Sequence, residues 1–397
     1  VTFDAEFAHL IPGHSRAIGK AGTVYLDDFE GSSTKLDQHY WTEWKLASTP
    51  QGQPALFPEA SYSNDLRNGM NRAMLAWYFI DPLFLRNTSL TPSYIRNNKE
   101  LQGSHFVREI FERELFPNRN TPQGQPTNIS VLNLSFYPDE RGPYNYDDIN
   151  VDPDGRLLNP QNRWGGVMRS IGTTDFETAN IEYIEFWLMD PFVYDSTMSG
   201  GDFYINLGNV SEDILRDGRK SFENGMPTTQ AMEKVDTTVW GRVPRKQYLP
   251  VGFDNDPANR KYQDIGLDGL SGEDLDGDGI PDEQSFFQNY LTQLRFRVSN
   301  EEVMAKSDAD PSNDNFIHFL NNQYDQSKAT ILDRYKYFNN TEGNSPVATG
   351  TTSQQAYSTP DVENLSEGDI TMSESEAYYQ YRISLRPADM EVGRNYI

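Results

Sequence analysis

The densest apolar run of the chain is Ala179 to Phe192, ANIEYIEFWLMDPF, and it alternates with a two-residue period. Ile184, Phe186 and Leu188 share one face, while Ile181, Tyr183, Trp187 and Met189 share the other. Two apolar faces predict a strand buried on both sides, at the centre of a sheet, and Asp190-Pro191 stops it. Weaker alternation predicts further strands in HFVREIFERELFP (105 to 117), NISVLNLSFYP (128 to 138), GDFYINLGNV (201 to 210) and AYYQYRISL (377 to 385).

Helical patterns are fewer. Asn64 to Leu85 predicts a helix or a helix and strand interrupted at Asp81-Pro82. Ser211 to Gly225 predicts a short helix with serine at its N-cap and glycine at its end. QSFFQNYLTQLRFRVSN and SKATILDRYKYFNN predict two amphipathic helices on either side of the acidic stretch DADPSNDNF. The connection from Pro138 to Trp164 is too polar and turn-rich to belong to a core. GNSPVATGTTSQQAYSTP reads as a linker, and DVENLSEGDITMSESEA as a solvated acidic stretch.

Irregularly spaced strands without alternating helices predict a mainly β fold, a jelly-roll (galactose-binding-like) β-sandwich with long loop-rich and helical insertions. Residues 1–225 are expected to supply the sandwich strands, residues 226–376 an acidic insertion, and residues 377–397 a returning strand that continues past the end of the chain. Only 36% of the 397 residues are hydrophobic, so the core is limited and the aromatics, at 13%, supply much of it. The chain ends carry no clear terminal signature, and it reads as a piece of something longer. No window reaches the length and apolarity of a membrane-spanning helix, and no signal peptide is visible.

The formal charge of −25 disfavours nucleic acid and anionic membranes as partners and favours cations. With no cysteine and five dispersed histidines, disulfides are excluded and a zinc site is not expected. The strongest chemical signal is EDLDGDGIPDE. Asp274, Asp276 and Asp278 are spaced by two, Gly279 permits the tight turn, and the Ile280 carbonyl and Asp282 complete an oxygen set suited to Ca²⁺. The twelfth position is Ser285, not glutamate, so the loop departs from an EF-hand and resembles the Asp-rich loops of thrombospondin type 3 repeats. Asp264 and Asp268 are candidates to share that ion or a neighbouring one.

Other chemistry is weaker. Asp27, Asp28 and Glu30 cluster in one turn, where a capped turn or a structural cation is more plausible than the separated carboxylate pair of a glycosidase. No Gly-rich phosphate loop, nucleophile elbow or HExxH helix occurs, and no enzyme is predicted. Trp41, Trp44 and Trp240 offer stacking faces for sugar, which leaves a secreted calcium-dependent carbohydrate-binding jelly-roll module as the alternative function.

A set of long phrases carries a family resemblance from about Ile11 to Ile397. IPGHSRAIG, VYLDDFEGS, FYPDERGPYN, RWGGVMRSI, ANIEYIEFWLMDPF, INLGNVSEDILRDGRKSFENGMP, YQDIGLDGL, ILDRYKYFNNTEGNSP and YYQYRISL, in this order, resemble an internal portion of the SprA family, called Sov in some members. The resemblance implies that the parent is the very large outer-membrane β-barrel translocon of the type 9 secretion system. This segment would be a folded insertion outside the bilayer, on the cell-surface side, with a structural or gating role in the export of folded cargo. The implied partners are a PorV-type outer-membrane barrel, a periplasmic plug protein and cargo bearing a C-terminal signal. No catalytic motif comes with the resemblance, and the calcium is expected to be structural.

Overall fold

Short alternating runs cut by proline and glycine give short strands, and in this chain they pair in twos. The computed structural model describes residues 40–118, 124, 127–172, 175–179, 181, 183–220, 226–227, 234–245, 254, 256–345 and 372–390. In chain order the strands are β1 (Lys45–Leu46), β2 (Ala73–Tyr78), β3 (Ile110–Phe111), β4 (Asn128–Ile129), β5 (Asn133–Arg141), β6 (Val167–Met168), β7 (Gly201–Asn209), β8 (Val235–Thr237), β9 (Arg242–Pro244) and β10 (Ala377–Leu385). They form antiparallel pairs β1–β6, β2–β5, β3–β4, β7–β10 and β8–β9. Helices of eight and nine residues, Gln288–Arg295 and Glu301–Ala309, stand among shorter turns. The second starts where the Asn300 side chain accepts the Glu302 and Val303 N–H groups.

The result is a mixed arrangement of small sheets and short helices. Among the described residues no sheet has more than two strands, so neither a jelly-roll sandwich nor a barrel is assembled by them. No described helix is long and apolar enough to cross a membrane. AYYQYRISL does return as β10, and it pairs over nine residues with β7, placing Tyr381 opposite Ile205 and Ile383 opposite Phe203.

The largest correction concerns ANIEYIEFWLMDPF. Its described residues 183–190 are neither strand nor helix, and Tyr183 is 81% exposed and Leu188 52%. Phe186 meets Phe203 of β7 at a tilt, 5.9 Å between ring centres, and Trp187 meets Phe116 edgewise at 6.2 Å. These ring contacts cover little of the run, and Tyr183, Ile184, Phe186, Trp187 and Leu188 stay exposed.

The second correction is its counterpart. The polar connection 138–164 runs through the main core, where Tyr144, Tyr146, Val151 and Leu157 are buried. They pack with Trp240, Phe287, Tyr290, Leu294 and Met304, and the Tyr146 and Phe287 rings stack at 4.5 Å. A second cluster joins Tyr78, Phe84, Ile95, Ile331, Tyr335 and Phe338, with Tyr78 stacked on Tyr335 at 4.4 Å. SKATILDRYKYFNN supplies much of it from turns and a short 3₁₀ turn, Asp333–Tyr335, where a helix was expected.

Three smaller expectations also change. In 105–117 only Ile110–Phe111 is strand, because the Glu114 carboxylate takes the Phe111 N–H and starts a helical turn at Glu112. Residues 211–220 form no helix, since their carbonyls go to distant partners: Ser211 O accepts from Ser48 Oγ, Ile214 O from Arg72 Nη2 and Arg216 O from Asn64 N–H. Residues 64–85 give a 3₁₀ turn, the fully buried strand β2 and a second 3₁₀ turn after Asp81.

Candidate metal centre

The Asp-rich loop is shaped by carboxylates that cap its turning backbone. Asp274 accepts the Gly277 N–H at 2.6 Å and the Gly279 N–H at 2.9 Å. Asp276 accepts the Asp278 N–H at 3.0 Å, and Asp278 the Ile280 N–H at 2.8 Å. Gly277 and Gly279 take φ values of +83° and +91°, which a side chain would resist.

One end of this loop is tied down. Asp282 opens a helical turn, is buried, accepts the Leu275 N–H at 3.2 Å and pairs with Arg242 Nη1 on β9 at 3.0 Å. Asp274, Asp276 and Asp282 each bring one carboxylate oxygen within 4.8 Å of the other two. Oxygens on opposite sides of a calcium ion are separated by up to about 5 Å, so the three fit one hard cation. Asp278 is not in this group, and Ile280, which is exposed, would contribute only its backbone. Arg242 shares Asp282 and would compete with an ion for it.

The other sequence candidates scatter. Asp264 lies near Arg260, with Ser345 Oγ donating to it at 3.2 Å, and burial pushes its carboxyl up to about 6 against the pull of Arg260. Asp268 is buried and accepts from Ser312 Oγ, away from the loop. Asp27, Asp28 and Glu30 lie outside the described residues. Trp240 is buried in the main core and presents no sugar-binding face. Trp41 packs on Phe338 at 4.8 Å, and together with Trp44 and Trp77 it lines a cavity of about 50 Å³. Ligand pockets usually span several hundred Å³, so this one is too small for a sugar ring.

Sequence reasoning passed over Glu283, Asp310 and Asp314, which also gather carboxylate oxygens within 4.8 Å of one another. The local signal was present in DADPSNDNF, but the third acid lies 27 residues before Asp310, and no spacing rule connects them.

Residues 289–397 match the SprA_N family model, described as a motility related/secretion protein. Over these residues, about a quarter of the chain, it is similar to that family, and the matched stretch takes in Asn289–Arg295 of the first longer helix, the second helix and β10. No curated protein matches the chain.

Proposed function

We propose that this chain is a non-membrane part of the type 9 secretion translocon, with a structural or gating role in moving folded cargo across the outer membrane. The observation that carries the reading is the match of residues 289–397 to the motility and secretion family. The nine-residue pairing of β10 with β7 supports extending it beyond the matched residues, because it ties the family segment to Gly201–Asn209. In this reading the parent barrel supplies the path and further strands complete a jelly-roll sandwich. Calcium held by Asp274, Asp276 and Asp282 stiffens the acidic insertion on the cell-surface side. A PorV-type barrel, a periplasmic plug protein and cargo with a C-terminal signal are the partners.

The exposed rings of β10 offer a test that spares the fold, since Tyr379 is 79% and Tyr381 53% exposed. Tyr379→Ser with Tyr381→Ser in the parent gene is expected to make signal-bearing cargo accumulate in the periplasm while the parent protein still reaches the outer membrane. Normal cargo export by that strain contradicts the reading.

A further inference from the structure

Three acids meet where the insertion packs against the main core. Glu283 stands on the helical turn Asp282–Phe286, Asp310 at the end of the helix Glu301–Ala309, and Asp314 on the loop after it. Glu283 and Asp314 are each 1% exposed, and Asp310 is partly buried. Buried Asp268 and partly buried Glu342 stand close enough for their charges to act on the group. Burial first, and then the neighbouring carboxylates, push Glu283, Asp314, Asp268 and Glu342 well above the usual carboxylate range. Facing Asp310 and Glu283 is Arg141, whose Nη2 donates to Pro311 O at 2.9 Å and whose Nη1 has no hydrogen-bond partner.

Most of the carboxylate oxygens are held in place by donors. Asp310 accepts the Asp314 N–H at 3.0 Å and the Asn315 N–H at 3.2 Å, and Asp314 Oδ2 accepts the Tyr144 hydroxyl at 2.7 Å. Glu283 Oε1 accepts the Ser312 N–H. Glu283 Oε2 is buried and has no hydrogen-bond partner. Buried polar atoms are rarely left so, and a buried anion needs either a counter-charge or a proton. The backbone also makes room for this arrangement: a Cβ on Gly266, at φ +71°, would stand 2.0 Å from Asp314 Oδ2.

We propose that Glu283, Asp310 and Asp314 form a second, buried calcium site that pins the start of the insertion's helices to the loop after them. The donor set is all oxygen, which selects a hard cation, and the 4.8 Å span suits oxygens facing each other across calcium. Magnesium is smaller and keeps several waters, which a buried carboxylate cage accommodates poorly. The site shares no ligand with the Asp274 loop, and the inference does not depend on the secretion reading.

The test uses the full chain carrying Asp274→Ala and Asp276→Ala, which silence the exposed loop. Equilibrium dialysis against calcium alone is expected to leave about one ion bound per chain, and adding Glu283→Gln should weaken that binding at least roughly tenfold. In chelator, Glu283→Gln and Asp314→Asn should melt no lower than their background, because each replaces an acid whose anionic form burial already disfavours. Both should lose the rise in Tm that calcium gives the background protein. If the loop-silenced chain binds no calcium and its Tm does not rise with calcium, the proposal is overturned without further substitutions. Calcium binding that survives Glu283→Gln unchanged also overturns it.

Discussion

Tyr144, Asn145, Tyr146 and Asp147 stand on a polar connection and are buried almost completely, whereas Tyr183, Phe186, Trp187 and Leu188 stand in the most apolar run of the chain and face solvent. The difference lies in partners. Asn145 Nδ2 donates to Arg72 O at 2.6 Å, the Tyr146 hydroxyl meets Ser312 Oγ at 2.7 Å, and Asp147 pairs with Arg163 at 2.9 Å, with both side chains almost wholly buried. Asp147 Oδ1 also accepts the Ile149 and Asn150 N–H groups. A polar segment can enter a core when each of its groups finds a partner, and its aromatic rings then contribute their full area. An apolar segment needs a facing layer, and the single-ring contacts of Phe186 with Phe203 and of Trp187 with Phe116 leave residues 183–188 exposed. Contiguous exposed apolar side chains mark an interaction surface more often than a packing failure.

The comparison breaks most readily at the Arg163–Asp147 pair. Arg163→Met leaves a buried carboxylate without its counter-charge and is expected to destabilise the fold by about 3–5 kcal/mol, read by denaturant unfolding. A loss of under 1 kcal/mol would mean that the polar connection is not part of the core. Next in size is Tyr144→Phe. Its hydroxyl serves Asp314 Oδ2 and the Leu267 N–H at 2.8 Å, so removal should cost about 2 kcal/mol by the same measurement.

Substitutions on the exposed side should be milder. Asp202 on β7 is held at about 2, below its ordinary 3.8, by Arg386 and then Arg382 of β10. A lowered folded-state value means that this stabilisation is present above about pH 4 and is lost as pH falls through about 2. Because the pair meets solvent, Asp202→Asn should cost less than about 1 kcal/mol at pH 7, and the difference from wild type should vanish in acid titration toward pH 2. Smallest of all, Trp187→Ser should change stability by no more than about 0.5 kcal/mol, read by denaturant unfolding. A large loss of stability there would restore ANIEYIEFWLMDPF as a core strand.

Local features were legible in the sequence and assembled ones were not. The extents of β10 and β7, the helix in QSFFQNYLTQLRFRVSN and the turn of EDLDGDGIPDE follow from alternation, helical spacing and Asp–Gly chemistry within a few residues. The Asp-rich loop therefore presents three of its five predicted ligating residues together, Asp274, Asp276 and Asp282. What decided burial lay far away in sequence. Tyr144 depends on Asp314 and Thr341, and Ile214 on Arg72, contacts that no local pattern encodes. The helix expected after Ser211 failed for that reason, and Glu283 gave no sign of its meeting with Asp310 and Asp314.

Amide hydrogen exchange on the intact chain tests the inversion of these two regions most directly. The Tyr144 N–H, bonded to Ser312 O at 2.7 Å, and the Asp147 N–H, bonded to Asn145 Oδ1 at 2.9 Å, are expected to exchange only through global unfolding. The amides of residues 183–189 are expected to exchange at nearly unfolded-chain rates. Strong protection across 183–189 together with rapid exchange at Tyr144 and Asp147 would contradict the account.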